Sequence, residues 1–194
     1  MDLKGEEMRT KLTTLKGALL TLAGLAFLAS CFGGPISRAA AMPDERVNAH
    51  WKGASQLIPV AVAPNPARCG PFPENIEITF TGSGIDTGGG IFTSAASTCT
   101  NTTTGLIFDL KSTDTYVTGD AVFIETDPFT PVLDPATCVS TNTQAVKFRV
   151  AGGTGVYAGA TGQGRFHLAS NEPSCNGIAA PGRVSFEGVL QLAQ

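Results

Sequence analysis

Past residue 70 the chain alternates apolar and polar side chains with period two, run after run. Ile76, Ile78 and Phe80 alternate with Asn75, Glu77 and Thr79; Leu106, Phe108 and Leu110 with Ile107, Asp109 and Lys111; Val122 and Ile124 with Phe123 and Glu125. Val146, Phe148 and Val150 alternate with Lys147 and Arg149, and Phe166 and Leu168 with Arg165 and His167. The last run sets Val184, Phe186, Leu190 and Leu192 against Arg183, Ser185, Glu187 and Gln191. An extended strand sends successive side chains to opposite faces, so each run is a strand with one buried face. No segment after residue 70 keeps a helical period over three turns, and clusters of Thr, Gly, Asn and Asp break the runs at short intervals. The pattern predicts strands near residues 75–81, 90–97, 104–111, 118–126, 144–151, 163–170 and 182–192. Together they make an all-β fold, a single antiparallel β-barrel of about 7–8 strands over residues 70–194.

The start of the chain follows other rules. Lys4, Arg9, Lys11 and Lys16 form a basic stretch ahead of the apolar run from Ala18 to Ala29, too short for a stable span and of the length of a secretory signal. Leu28-Ala29-Ser30-Cys31 resembles the lipobox of bacterial lipoproteins, which implies cleavage after residue 30 and a lipid on Cys31. The alternative is ordinary cleavage near Ala39-Ala40-Ala41. Residues 31–69, rich in Ala, Pro and polar side chains, are predicted as a flexible tether holding His50 and the sole tryptophan, Trp51. Within it Leu57-Ile-Pro-Val-Ala-Val62 is the one strand-like piece, and Pro59 limits it to an edge strand at best. The expected address is an exported, lipid-anchored protein of a bacterial envelope, or otherwise a secreted or periplasmic one.

Charge narrows the partners. Without residues 1–30 the chain keeps nine Lys or Arg against thirteen Asp or Glu, unclustered, with none of the basic stripe and interleaved aromatics that nucleic acid requires. With Cys31 assigned to lipid, Cys69, Cys99, Cys138 and Cys175 remain, an even number suited to two disulfides; none stands in a CxxC or beside a histidine at metal-ligand spacing. No metal and no cofactor are expected. Counting strand directions puts all four cysteines at one end of the barrel and the Gly152-Gly-Thr-Gly155 turn at the other. Because sequential strands usually pair, Cys69 should bridge to Cys99 and Cys138 to Cys175. The glycine-rich end is left the freer one to admit a ligand.

Residues 151–166 read AGGTGVYAGATGQGRF, and Gly153-Thr-Gly155-Val-Tyr-Ala158 fits a dinucleotide fingerprint. That motif has meaning only between a strand and a helix whose N-terminus carries the pyrophosphate. Here three more glycines follow and the chain runs into the period-two strand Arg165-Phe-His-Leu168, so the glycines serve a chain reversal. The same residues, Phe148-Arg-Val-Ala-Gly-Gly-Thr-Gly-Val-Tyr-Ala-Gly-Ala-Thr-Gly162, resemble the GGTGxFAGATG signature of exported bacterial proteins with the allene oxide cyclase-like, or dirigent-like, β-barrel. Gly82-Ser-Gly84, Gly88-Gly-Gly-Ile-Phe-Thr93 and Gly119-Asp120 before Ala121-Val-Phe-Ile124 fall in the matching order, over residues 74–192. The chain departs from the pattern in the inserted loop Asp127 to Thr143 and in its four cysteines. Proteins of this kind, where they act, hold a reactive small molecule in an apolar cavity.

Catalytic constellations are sparse. His167, the one histidine of the barrel region, falls on the polar face of its strand, and Ser83 lacks the strand-to-helix turn of a nucleophile elbow. Asp109, Asp114 and Asp120 match no calcium loop and read as turn and cap residues. No catalytic residue is assigned. Tyr157, directly after the GGTG turn, is the candidate ligand contact, with a packed aromatic lid over the barrel end as its other reading. The expected function is non-enzymatic, with a small apolar ligand in the barrel; the alternatives are a cyclase-like or dirigent-like enzyme, or a cell-surface interaction module using loops or a strand edge.

Overall fold

The computed structural model describes residues 47–172, 175 and 179–193. The stretches read as a signal sequence and as a lipobox-like segment with Cys31 lie outside the described residues. In chain order the elements are β1 (Val47–Ala63), α1 (Pro66–Cys69), β2 (Asn75–Asp86), β3 (Gly90–Asn101), β4 (Ile107–Tyr116), β5 (Ala121–Thr126), β6 (Val132–Asp134), β7 (Val139–Thr141), β8 (Val146–Gly153), β9 (Thr161–Asn171) and β10 (Gly182–Leu192). Eight strands close into an antiparallel barrel in the order β1-β2-β3-β4-β5-β8-β9-β10, with β10 returning to β1. β6 and β7 form a hairpin outside the cylinder, and β7 pairs with the end of β9 past the point where β8 stops.

The seven strands read from the alternation are all staves of the barrel, and the eighth is β1. The prediction of a tether over 31–69 is therefore corrected from Val47 onward. β1 pairs with β10 from Val47↔Leu192 to Leu57↔Gly182 and with β2 from Gly53↔Asp86 to Ala63↔Glu77. Its period is hidden because its inner face reads Trp51, Gly53, Ser55 and Leu57 while its outer face carries Ala54 and Ile58, so hydropathy does not alternate although burial does. Pro59 is tolerated because it stands beyond the last β10 pair, at a register shift against β2, where the missing N–H leaves no β10 carbonyl without a partner.

A second correction concerns β4. Asp109 has a positive φ of 48°, and the register against β3 shifts beside it. The parity of the strand changes there: Ile107 and Leu110 line the lumen, while Phe108 pairs with Cys99 on the outer wall. This local bulge re-phases everything after it, so that Ser112, Asp114 and Tyr116 follow Leu110 inward.

The two ends of the barrel differ. At one end, where β8 turns into β9, the glycine-rich segment makes a single 3-10 turn, Gly155–Tyr157, and no α-helix follows. Gly155 and Gly159 take positive φ values of 58° and 70°, which is what the reversal needs. At Gly164 in β9 a Cβ would run into the Phe148 ring and the Glu187 carbonyl, so glycine there lets an aromatic lie flat against the wall. The other end carries the disulfides. Cys69–Cys99 ties α1 to β3, and Cys138–Cys175 ties the β6–β7 hairpin to the β9–β10 connection. Arg68 of α1 clamps the same outer wall: its Nε donates to Asp109 Oδ2 at 2.7 Å, Nη1 donates to Ser97 Oγ at 2.6 Å and pairs with Glu77, and Nη2 donates to the Asp109 carbonyl. The guanidinium thus fixes the bulged residue by both its side chain and its backbone.

Candidate functional site

The lumen is built by the inward faces of the staves, and its upper part is solid. Trp51 is fully buried and meets Phe186 at 4.8 Å and Phe148 at 5.7 Å between ring centroids, both edge to face. Above it Tyr116 stacks on Tyr157 at 5.0 Å and touches Phe92 at 5.9 Å. The Tyr116 hydroxyl donates to Asp86 Oδ2 at 2.7 Å, while Asp86 Oδ1 accepts from the backbone N–H groups of Gly88 and Gly89, each at 2.8 Å. Burial first, and then the Asp86 carboxylate, raises the Tyr116 pKa, so this phenol stays protonated and keeps donating.

Tyr157 belongs to this plug. It is 4% exposed, lines neither of the cavities described below, and sits as a packed aromatic over the glycine-rich end. The aromatic pairs and the Asp86 cap pack that end, and the two lumen cavities lie below them.

Beneath Trp51 lies an inner chamber of about 70 Å³. Its walls are mostly apolar, with Phe148, Phe166 and Phe186 among them, and one cluster of polar groups converges on it. Asp114 is 4% exposed, and its Oδ1 accepts from Ser94 Oγ at 2.6 Å and Ser112 Oγ at 2.9 Å. Burial raises its pKa, more than the two serine hydroxyls lower it, and the nearby Asp86 adds to the rise. The chamber continues downward past Leu57, Ala96, Leu110, Phe166 and Val184, which line both it and a second cavity of about 320 Å³. That lower cavity opens at the disulfide end, between the β3–β4 turn at Asn101 to Gly105 and the strand approach at Ala179 and Ala180.

The loop of residues 127–143 contributes one wall of the mouth. Phe129 bridges to Ile107 through both backbone hydrogen bonds, at 2.8 and 2.9 Å, and sets its ring edge to face on Phe166 at 5.5 Å. Glu172, just past the end of β9, lines the same cavity; it is 4% exposed and its Oε2 has no hydrogen-bond partner among the described residues. Thr100 Oγ1, also buried at the mouth, has none either.

Of the other residues weighed from sequence, His167 is exposed on the outer wall beside Arg183, and Ser83 is exposed on β2, so neither meets the lumen. Asp120 is a turn residue, its carboxylate accepting from Thr118 Oγ1 at 2.9 Å, as read. Asp109 and Asp114 are strand residues instead, and Asp114, set aside with them as a turn residue, is the polar centre of the chamber. The signal for it was the period-two series Leu110, Ser112, Asp114 and Tyr116, visible once the strand is carried past residue 111. Glu172, in the cysteine-rich connection, carried no signal of period or motif. Among the described residues no group of His, Cys, Asp and Glu is placed to hold a metal ion.

No protein-family model matches the chain, and no curated protein matches it in sequence. Among solved structures the barrel is similar to that of the pterocarpan synthase dirigent protein GePTS1, with a TM-score of 0.46 and 12% identity, over 77% of this chain and 87% of that one.

Proposed function

We propose that the barrel binds a small, largely apolar molecule in its lumen, admitted at the disulfide end and oriented by Asp114. The observation that carries this reading is the buried Asp114 carboxyl on the wall of a mostly apolar chamber that opens into a mouth of about 320 Å³. That volume lies at the small end of the range for small-molecule sites, and a few convergent polar groups on apolar walls are their usual composition. A barrel serving as an interaction module alone would fill its lumen with its own side chains. The test is native mass spectrometry of protein purified from its own envelope, comparing wild type with Ala96→Phe, which fills the neck between chamber and mouth. Wild type should retain a small molecule and the variant should lose it; retention by the variant, or an empty wild type that takes up no apolar probe, refutes the reading.

A second reading, acid catalysis on a bound reactive molecule, rests on the same residue. Burial raises the Asp114 pKa, which favours the protonated carboxyl that an acid catalyst needs. Asp114→Asn would then retain the ligand and lose turnover.

The two disulfides indicate an oxidising compartment, and no helix among the described residues is long and apolar enough to cross a membrane. Anchoring through a lipid on Cys31 is part of the proposal and rests on Leu28-Ala29-Ser30-Cys31. Labelling with a palmitate analogue should tag wild type and not Cys31→Ser; equal labelling of both removes the anchor from the proposal.

A further inference from the structure

We infer that the mouth selects an organic cation, a molecule whose protonated amine sits against Glu172 while its apolar body lies in the lumen; this rests on the lumen being a binding site. The first observation is the state of Glu172. The residue is 4% exposed, it lines the lower cavity, and Oε2 meets no donor among the described residues. A buried carboxylate oxygen without a partner is an unfavourable arrangement that a protein tolerates where something else supplies the partner.

The second observation is the sign of the lining. Asp114 is the one charged residue on the wall of the inner chamber and Glu172 the one on the wall of the mouth, so the described walls of these two cavities hold two carboxyl groups and no Lys, Arg or His. An anionic ligand would meet two acids and no donor stronger than a hydroxyl or amide. A protonated amine would meet a carboxylate that lacks a counterion, with the unpartnered Thr100 Oγ1 as a further acceptor at the same mouth. Phe129 and Phe166 present aromatic rings on the same wall, and ring faces attract ammonium groups.

The third observation is how Glu172 is held. Its N–H donates to the Cys138 carbonyl at 2.8 Å, and its own carbonyl accepts from the Cys175 N–H at 2.9 Å. Both partners are halves of one disulfide. The acid is therefore placed by a cross-linked frame instead of a free loop, as a recognition group should be.

The reach of the site sets the probe. Ser94 and Thr100 face the lumen from the same strand, separated by about 20 Å of extended chain, or about 15 Å along the axis of a barrel with normal strand tilt. A linear chain of decyl length spans it. Isothermal titration of the full, disulfide-intact protein with decylammonium, decanol and decanoate at neutral pH reads the preference directly. Decylammonium should bind more tightly than decanol by about tenfold or more, the worth of a charge-assisted hydrogen bond, with decanoate weakest. Glu172→Gln should bring decylammonium to the level of decanol. Decanol binding as well as decylammonium, or a preference that survives Glu172→Gln, overturns the inference while leaving lumen binding intact. If none of the three binds, the lumen reading falls and this inference with it. The wild-type comparison needs no variant, so a failure of Glu172→Gln to fold does not blunt it.

Discussion

Replacing Trp51 by alanine is the sharpest test of the barrel, because the residue lies in a stretch whose composition reads as a tether. A fully buried indole removes about 200–250 Å² from water, worth an upper limit of about 5–6 kcal/mol at ~25 cal/mol/Å². Measured truncations of buried Trp or Phe to alanine cost about 3–5 kcal/mol. Two features of this site pull toward the lower figure. Nε1 of Trp51 is buried without a partner, and deleting an unsatisfied donor returns about 1–3 kcal/mol of desolvation cost. The space left would also adjoin the chamber that reaches Ser94, Ser112 and Asp114, so water can occupy it with hydrogen bonds in place. Loss of the edge-to-face pairs with Phe148 and Phe186 acts the other way, by about 0.5–1.5 kcal/mol each. The net expectation is about 3 kcal/mol, which at a urea m-value of about 2 kcal/mol/M moves the midpoint down by about 1.5 M. Urea unfolding followed by far-ultraviolet circular dichroism measures it, since the variant has no tryptophan to report. A change below about 0.5 kcal/mol, the size of a surface substitution, would refute the placement of β1 in the barrel.

Three further outcomes are expected. Burial raises the Asp114 pKa in the folded state, so the folded protein holds this proton longer than the unfolded chain. The group's contribution to stability is complete below about pH 4, the ordinary Asp range, and is lost as pH rises through the raised folded value. Asp114→Asn, which cannot ionise, should therefore be more stable relative to wild type at pH 8 than at pH 4; a difference independent of pH refutes the shift. Opening the Cys138–Cys175 bridge by a double serine substitution frees a loop with a sequence separation of 37, for a loss of about 4 kcal/mol by the chain-entropy argument, and unchanged thermal unfolding would contradict it. His167→Ala, on the exposed outer wall, should stay within about 0.5 kcal/mol of wild type in the same assay, and a larger loss would place the imidazole in a packed site.

The alternation of large apolar residues made most of the barrel legible. Val146, Phe148 and Val150 declare their strand because every inward position is bulky. β1 conceals itself because the barrel needs small side chains beside Trp51: Gly53 lies against the Phe186 ring, where a Cβ would clash at 2.5 Å. A strand that makes room for its neighbours' aromatics loses its own hydrophobic signature. The disulfide pairs followed from strand direction together with the pairing of sequential strands, since parity of direction survives even when one stave is overlooked. The site was less legible. Asp114 was hidden because residues 112–115 read Ser-Thr-Asp-Thr, polar on both faces, so no apolar alternation extends the strand past Lys111. The cavity opens at the cysteine end and not the glycine end because glycines that bring backbone and ring together close space as readily as they free it. Gly89, against the Tyr116 and Tyr157 rings, is the example.

The seam between β1 and β10 makes the barrel's last joint its most distant one. Val47 pairs with Leu192, so the cylinder cannot close until the final strand arrives at the first. Pairing across nearly the whole described chain has a high loop-closure cost and is the kind of contact that forms late and slowly. Until then β1 is held by β2 alone and presents an open edge, with Ile58, Val60 and Val62 exposed even in the finished fold. An open, apolar edge awaiting its partner is where chains of this kind pair with one another instead. The vulnerable moment in this molecule's life is therefore the interval before closure, and refolding yield should fall steeply with protein concentration while the stability of the closed barrel does not.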